Sequence, residues 1–140
     1  MPPDEPVFFI DRCLGARTVP DALRVAGARV EVHADHFADD AQDPEILRFV
    51  GERQWVFLSK DKRVRRRSAE IEALIHANVV AFILTSGNAT GPELGAAFVK
   101  ALDKMRRVCR THTRPVIATV TIHGIVTVFH GQRRGGVRRS

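Results

Sequence analysis

The sequence predicts an α/β fold of three α/β/α layers, in which helices cover both faces of a mainly parallel central sheet. Short apolar runs alternate with amphipathic helical stretches along most of the 140-residue chain. This alternation is typical of parallel strands joined by crossover helices. Two further apolar stretches flank His123-Gly124 and predict a C-terminal antiparallel hairpin.

Apolar content and the turn residues that follow it predict the strands. The predicted strands span residues 7–10, 28–33, 55–58 and 79–84, and the hairpin adds 116–122 and 125–129. The second strand alternates apolar and polar residues, which is typical of a half-buried strand near a sheet edge. The other three are apolar throughout, as expected for strands in the sheet interior.

Cap residues and helical periodicity predict a helix after each strand but the last two. The predicted helices begin at Thr18, Asp43, Ser68 and Thr90 or Gly91, and end near Gly27, Gly51, His76 and Arg110. We expect a single domain over residues 1–130. Residues 131–140 lack apolar periodicity and are rich in arginine, so we expect a basic, flexible tail there.

Composition and charge narrow the class of protein. The formal net charge of +6 and the pI of about 10.3 favour a polyanionic partner. No apolar run reaches the roughly 18 residues of a membrane span, and the acidic, Pro-rich N-terminus is unlike a secretory signal. We therefore expect a cytoplasmic protein without membrane association. Cys13 and Cys109 lack CxxC spacing, so we expect two reduced, partly buried thiols.

Three aspartates are predicted to converge at one edge of the sheet. Asp11 and Asp61 follow the first and third strands, and Asp43 begins the helix after the second strand. The carboxyl ends of parallel strands face the same edge as the starts of the helices that follow them, and ligands bind there. Carboxylates grouped without His or Cys suit Mg²⁺ or Mn²⁺, which would activate water against a phosphodiester.

Structural roles are alternatives for these acids. Asp43 before a proline is accounted for by helix capping, and Asp61 by a turn. Asp11 is harder to explain in this way, because a charge directly after a buried strand is costly. Glu45, in the same helix start as Asp43, is either a further metal ligand or an exposed first-turn residue.

The order of these motifs resembles that of the PIN-domain nucleases, in particular the compact PIN-like toxins of bacterial toxin–antitoxin pairs. The family pattern has an aspartate closing the first strand, an aspartate opening a helix, and an apolar strand followed by a Thr/Ser-x-Asp turn. Asp11, Asp43, and Ser59 with Asp61 match this pattern, and the resemblance covers roughly residues 7–110.

This resemblance implies an endoribonuclease toxin that depends on Mg²⁺ or Mn²⁺, cleaves RNA and has a cognate antitoxin protein as partner. The acids would hold the metal, and Ser59 would help to fix the metal site. Larger family members carry a further glutamate, on a helix between the first two acids, that has no clear equivalent here. Asp40 and Glu45 are the candidates for its place.

Basic residues directly after Asp61 predict an RNA-binding rim beside the acids. They are Lys62, Arg63, Arg65, Arg66 and Arg67. The ordinary alternative is a solvated charged surface. The sequence also allows a homodimer.

Two other classes of function are alternatives to the nuclease. A non-catalytic nucleic-acid or protein-binding module on a PIN-like fold would bind with a steep salt dependence and would not respond to EDTA. A receiver-like phosphoacceptor domain also groups aspartates at strand ends. It is disfavoured because no aspartate ends a middle strand ahead of the Thr/Ser and Lys strands that its chemistry needs.

Overall fold

Six strands form one sheet in the computed structural model, which describes residues 5–60, 68–85 and 88–134. They are β1 (Val7–Ile10), β2 (Arg29–Val32), β3 (Val56–Lys60), β4 (Val80–Leu84), β5 (His112–Val120) and β6 (Val126–Arg133). Their order is β2-β1-β3-β4-β5-β6; the first five are parallel, and β6 pairs antiparallel with β5. The predicted parallel sheet and C-terminal hairpin are confirmed.

In the described residues, four α-helices cover the two faces of this sheet. They are α1 (Thr18–Val25), α2 (Asp43–Glu52), α3 (Ser68–His76) and α4 (Gly91–Thr111). Apolar side chains of α1 and α4 share one core cluster with one side of the sheet, and those of α2 and α3 share a second cluster with the other side. The fold is therefore a three-layer α/β/α structure, as predicted.

β1 shows why the sequence of an interior strand is apolar throughout. Phe8 and Ile10 belong to the core beneath α1 and α4, whereas Phe9 belongs to the core beneath α2 and α3; all three are fully buried. Successive side chains of a strand point to opposite faces, so a strand covered on both faces has no polar position. The Phe9 ring stacks on Phe57, with centroids 6.3 Å apart.

The direction in which the sheet grows reverses at β1. β1 pairs with β2 on one side and with β3 on the other, so the chain adds β2 at one edge and then crosses β1 through α2 to reach β3. In α/β sheets, such a reversal opens a crevice between the carboxyl ends of the two strands on either side of it, and ligands bind in it. In this chain the crevice lies between the ends of β1 and β3.

Several strands are longer than predicted. Ser59 and Lys60 continue β3, because they pair with Ile83 and Leu84 of β4, whereas the sequence predicts a turn there. β5 begins four residues earlier than expected, and β6 runs to Arg133, which pairs with His112. Strand pairing thus extends into the predicted tail, whose last six residues lie outside the described part of the chain. In the described residues, no helix is both long enough and apolar enough to span a membrane.

Candidate active site

Asp11 lies directly after β1, at the mouth of the crevice, and is half-buried. Its backbone N–H donates a hydrogen bond to the carbonyl oxygen of Leu58, at 2.9 Å, which ties it to β3. Its Oδ1 accepts from the backbone N–H of Arg12 at 2.8 Å, and its Oδ2 accepts from the hydroxyl of Ser59 at 2.8 Å. Both carboxylate oxygens are therefore held, and the side chain has a fixed orientation.

Ser59 joins β1 and β3 through this contact. It is the fourth residue of β3 and is buried, with 8% of its surface exposed. A buried hydroxyl needs a hydrogen-bond partner, and the Asp11 carboxylate supplies one. The pair that the family pattern links in sequence thus meets in space, 48 residues apart.

Cys13 is a third member of this group, and no sequence pattern predicts its place there. Its Sγ lies 3.3 Å from Asp11 Oδ2 and 3.3 Å from Ser59 Oγ. A 3₁₀ turn over Arg12–Leu14, capped by the Asp11 carboxylate, brings the thiol back toward that carboxylate. Burial, and then the negative charge of Asp11, raise the pKa of the Cys13 thiol, which therefore stays protonated at neutral pH and donates to Asp11.

The sequence carries only a weak signal that Cys13 contacts Asp11. The thiol follows Asp11 at a spacing of two, and Gly15 comes two residues later with φ of 84°, a backbone conformation that favours glycine. This short turn is what returns the chain over the carboxylate. Isolated cysteines are usually ordinary core residues, and this spacing alone matches no common cysteine motif.

Three other predicted acids, Asp40, Asp43 and Glu45, are exposed and are not part of this hydrogen-bonded group. Asp43 and Glu45 are exposed in the first turn of α2, and Asp40 is exposed in the loop before it. The helix cap is Gln42, and Asp43 is the first helical residue, so the predicted capping role of Asp43 is wrong. No hydrogen bond joins Asp43 to Asp11 among the described residues, although α2 begins at the edge where β1 ends.

A further part of the predicted site lies outside the described residues. Asp61 and the basic residues of the predicted rim follow β3 directly in sequence. The residues in question are Asp61, Lys62, Arg63, Arg65, Arg66 and Arg67. Within residues 5–60, 68–85 and 88–134, no three His, Cys, Asp or Glu side chains are grouped closely enough to hold a metal ion.

The donor set around Asp11 fits a hard cation. A carboxylate beside a hydroxyl offers oxygen ligands, which Mg²⁺ and Mn²⁺ prefer. The protonated Cys13 thiol does not compete as a ligand, because thiols bind metals as thiolates. Asp11 Oδ1 accepts one described hydrogen bond, from the Arg12 N–H, and retains acceptor capacity for a metal, whereas Oδ2 accepts from both the Ser59 hydroxyl and the Cys13 thiol.

Comparisons with known proteins identify the family of this chain. A family model described as "PIN like domain" matches residues 6–86, more than half of the chain, and includes both Asp11 and Ser59. The chain belongs to the PIN-like domain family, and the resemblance seen in its sequence is confirmed.

One curated relative comes from Mycobacterium tuberculosis and is named "Putative ribonuclease VapC45". It is 28% identical to this chain over 126 residues, which cover 87% of this chain and 91% of that protein. No solved structure gives a significant match.

Proposed function

We propose that this protein is a metal-dependent endoribonuclease, the toxin component of a toxin–antitoxin pair, which hydrolyses RNA phosphodiester bonds with Mg²⁺ or Mn²⁺. The observation that carries the proposal is the Asp11 carboxylate, held by Ser59 at the crevice between β1 and β3. Membership of the PIN-like family and the ribonuclease name of its relative support the same activity.

Three aspartates would hold the metal in this proposal: Asp11, Asp43 and Asp61. Glu45 and Asp40 are the candidates for a further acidic ligand. When bound, the ion supplies positive charge at the scissile phosphate and activates water. The Ser59 hydroxyl and the Arg12 N–H keep the Asp11 carboxylate in one orientation, so little reorganisation is needed when the ion and the substrate arrive.

The chain would bind RNA through its cations near the carboxyl ends of the strands. Lys60 is half-buried at the end of β3. The basic residues that follow Asp61 extend this charge along the chain and would contact successive phosphates. We further propose that a cognate antitoxin protein covers the acidic crevice or the basic rim, and that homodimer formation is compatible with both.

A cleavage assay with purified protein tests the proposal. The parent chain should cut RNA when Mg²⁺ or Mn²⁺ is present and should stop when EDTA is added. Asp11→Asn and Asp61→Asn should each lower the rate by at least about 100-fold, because each removes charge from the metal site. Asp103→Asn is the matched control, because that side chain is 97% exposed on α4. It lies about 18 Å along the helix from Gly91, the first residue of α4, and helix starts face the edge of the sheet that carries the proposed site.

Two results would contradict the proposal. Undiminished cleavage by Asp11→Asn and Asp61→Asn would exclude the carboxylates from the chemistry. RNA binding that falls steeply with salt, ignores EDTA and leads to no cleavage would identify a non-catalytic binding module instead.

A further inference from the structure

The outer edge of β6 is open to another chain. β6 (Val126–Arg133) is the last strand of the sheet, and no strand pairs with its other side among the residues that the structure describes. Such an edge presents backbone N–H and C=O groups that pair readily with an extended segment of another protein. The edge of β6 therefore offers backbone hydrogen bonds to a peptide strand.

The two edges of the sheet differ in how they are protected against such pairing. Natural edge strands avoid unwanted partners when they are short or carry charged side chains. β2, at the other edge, has four residues, which include the exposed Arg29 and Glu31, and Glu31 pairs with His36 at 2.8 Å. β6 has eight residues, and residues 126–132 contain no Lys, Arg, Asp, Glu or Pro. These features make β6 the better template for an added strand.

Three arginines lie together where β6 ends. Arg110 is in the last turn of α4, Arg114 is in β5, and Arg134 directly follows β6; they form the arginine group. Arg134 Nε donates to the carbonyl oxygen of Arg110 at 3.1 Å. Burial and, to a smaller extent, the positive charge of Arg134 lower the pKa of Arg114. The Arg114 guanidinium donates to the carbonyl oxygens of Gln54 and Trp55, so its position is fixed.

The arginine group has no carboxylate partner among the described residues. No Asp or Glu oxygen lies within 4 Å of its guanidinium groups in that part of the chain, and Glu5 pairs instead with Arg106 at 3.0 Å. Grouped like charges repel one another. An anion that binds among them offsets this repulsion and accepts charge-assisted hydrogen bonds. The arginine group therefore favours a negatively charged ligand.

The position of the arginine group separates it from the proposed active site. Arg133 pairs with His112, the first residue of β5, and β5 runs parallel to the strand that ends at Asp11. The arginine group therefore lies at the end of the sheet opposite Asp11.

A ligand that uses both features needs backbone amides for the edge of β6 and negative charge for the arginine group. An extended acidic peptide has both. RNA has no backbone amides, and a second copy of this chain would bring the same net charge of +6. Charge complementarity and the open strand edge together favour the peptide.

We propose that β6 and the arginine group bind an acidic, extended segment of a partner protein, which adds to the sheet as a further strand. Its backbone would pair with the edge of β6, and its carboxylates would pair with the guanidinium groups of Arg110, Arg114 and Arg134. This interaction goes beyond the proposed ribonuclease function and does not depend on it. Failure of either proposal therefore leaves the other in place.

A fluorescently labelled synthetic peptide tests the inference by anisotropy with the full chain. The peptide begins with a run of glutamates and continues with alternating threonine and valine, so antiparallel pairing with β6 brings the glutamates to the arginine group. The control peptide has glutamine in place of each glutamate. At low salt, we expect the chain to bind the glutamate peptide at least about tenfold more tightly than the glutamine peptide.

Substitutions in the chain test the arginine group. Arg110→Gln combined with Arg134→Gln should weaken binding of the glutamate peptide about tenfold, because two of the three guanidinium groups are removed. The matched control combines Arg29→Gln and Arg48→Gln, which removes the same charge from exposed positions on β2 and α2. Arg110→Gln alone is the milder variant if thermal melting shows that the first pair does not fold.

N-methylation of the peptide tests strand addition. Alternate residues of a strand direct their backbone groups to opposite sides, so only one set would face β6. Methylation of the valine nitrogens and methylation of the threonine nitrogens should therefore differ, with binding abolished in one case and largely retained in the other.

Three results would overturn the inference. They are equal affinity for the glutamate and glutamine peptides, equal binding of the glutamate peptide by the two double variants, and an equal effect of the two methylation patterns. Single-stranded RNA, measured in the Asp11→Asn background, should bind equally to the two double variants. Loss of RNA binding in Arg110→Gln with Arg134→Gln, without loss of peptide binding, would assign the arginine group to RNA instead.

Discussion

Asp11 is the residue whose surroundings are best defined in the proposed active site. Its two carboxylate oxygens accept from a backbone N–H, a hydroxyl and a thiol, and its own N–H is bound to β3. A charged side chain at a strand end is costly to bury unless it is paired in this way. The free-energy cost of a charge directly after a buried strand is thus offset by these hydrogen-bond partners. Of the partners, only Ser59 belongs to the family pattern.

The first prediction concerns Ser59, which acts on the reaction only through Asp11. Ser59→Ala should lower the cleavage rate about 10- to 100-fold, because groups that orient a metal ligand typically contribute that much. Ser59→Thr keeps the hydroxyl and should retain most activity. The dependence of the rate on Mn²⁺ concentration separates this role from a merely structural one.

The predicted shift is toward a higher Mn²⁺ requirement in Ser59→Ala and no shift in Ser59→Thr. If Ser59→Ala loses stability but cleaves with the parent's Mn²⁺ dependence, Ser59 supports the strand and does not orient the carboxylate.

The sequence predicts where the site residues lie along the strands more readily than which side chains contact one another. The place of Asp11 follows from its strand, and its meeting with Ser59 follows from β1 and β3 being neighbours. The Cys13 contact depends on the path of a three-residue turn, which no periodic pattern reports. The position of Asp43 relative to Asp11 depends in the same way on the loop before α2.

At the scale of elements, apolar runs and, for β2, alternating apolar and polar residues located the six strands that the structure describes, but pairing decided where these strands end. Ser59 and Lys60 are polar, and the sequence therefore suggested a turn, yet β4 offers them partners in Ile83 and Leu84. Backbone hydrogen bonds to a neighbouring strand stabilise extended chain whatever its side chains. Ends of strands thus depend on the neighbour and are not set by local composition.

The second prediction concerns the contact between α2 and the end of α3. A Cβ added at Gly51 would lie 2.1 Å from the carbonyl oxygen of Ala77, a distance that forces the backbone to move. Gly51→Ala should therefore lower the free energy of unfolding by about 1–3 kcal/mol, although alanine is the better helix former. Chemical denaturation at equilibrium measures this difference.

Gly91→Ala is the control for that substitution. Gly91 is also helical, but a Cβ there would lie 3.4 Å from the Cβ of Thr18, close to ordinary contact. Its free energy of unfolding should stay the same or rise by up to ~1 kcal/mol. Equal free energies of unfolding for the two variants would show that Gly51 of α2 does not lie this close to the carbonyl oxygen of Ala77.

At the scale of the whole molecule, two groups of basic residues are candidates for RNA binding. The run from Lys62 to Arg67 follows β3 closely in sequence. Arg107, Arg110 and Arg133 are exposed at the end of the sheet opposite Asp11, and no carboxylate lies within 4 Å of them in the part of the chain that the structure describes. A net charge of +6 alone does not say which end binds RNA.

The third prediction distinguishes the two ends by salt dependence. Replacing Arg65, Arg66 and Arg67 by Gln should weaken single-stranded RNA binding and reduce the slope of log affinity against log salt by about 2, or roughly 0.7 for each phosphate that is no longer neutralised. The control replaces Arg107, Arg110 and Arg133 by Gln and removes the same charge. Equal reductions in both triple variants would mean that RNA responds to overall charge and not to the rim beside the acids.

The topology accounts for how much of the site could be foreseen. Alternating strands and helices predict a parallel sheet, and a parallel sheet places the residues that follow its strands at one edge. The choice of β1 and β3 as neighbours, which brings Asp11 to Ser59, required the strand order itself. Long-range pairing of this kind leaves no mark on local sequence.

Manganese binding tests the central claim most directly. In an electron paramagnetic resonance titration, the folded parent chain should bind Mn²⁺ at a site that Asp11→Asn weakens at least tenfold, since a direct ligand is removed. Asp103→Asn should bind as the parent does. Mn²⁺ affinity that is the same in Asp11→Asn, Asp103→Asn and the parent would contradict a metal site at the end of β1, and with it the proposed mechanism.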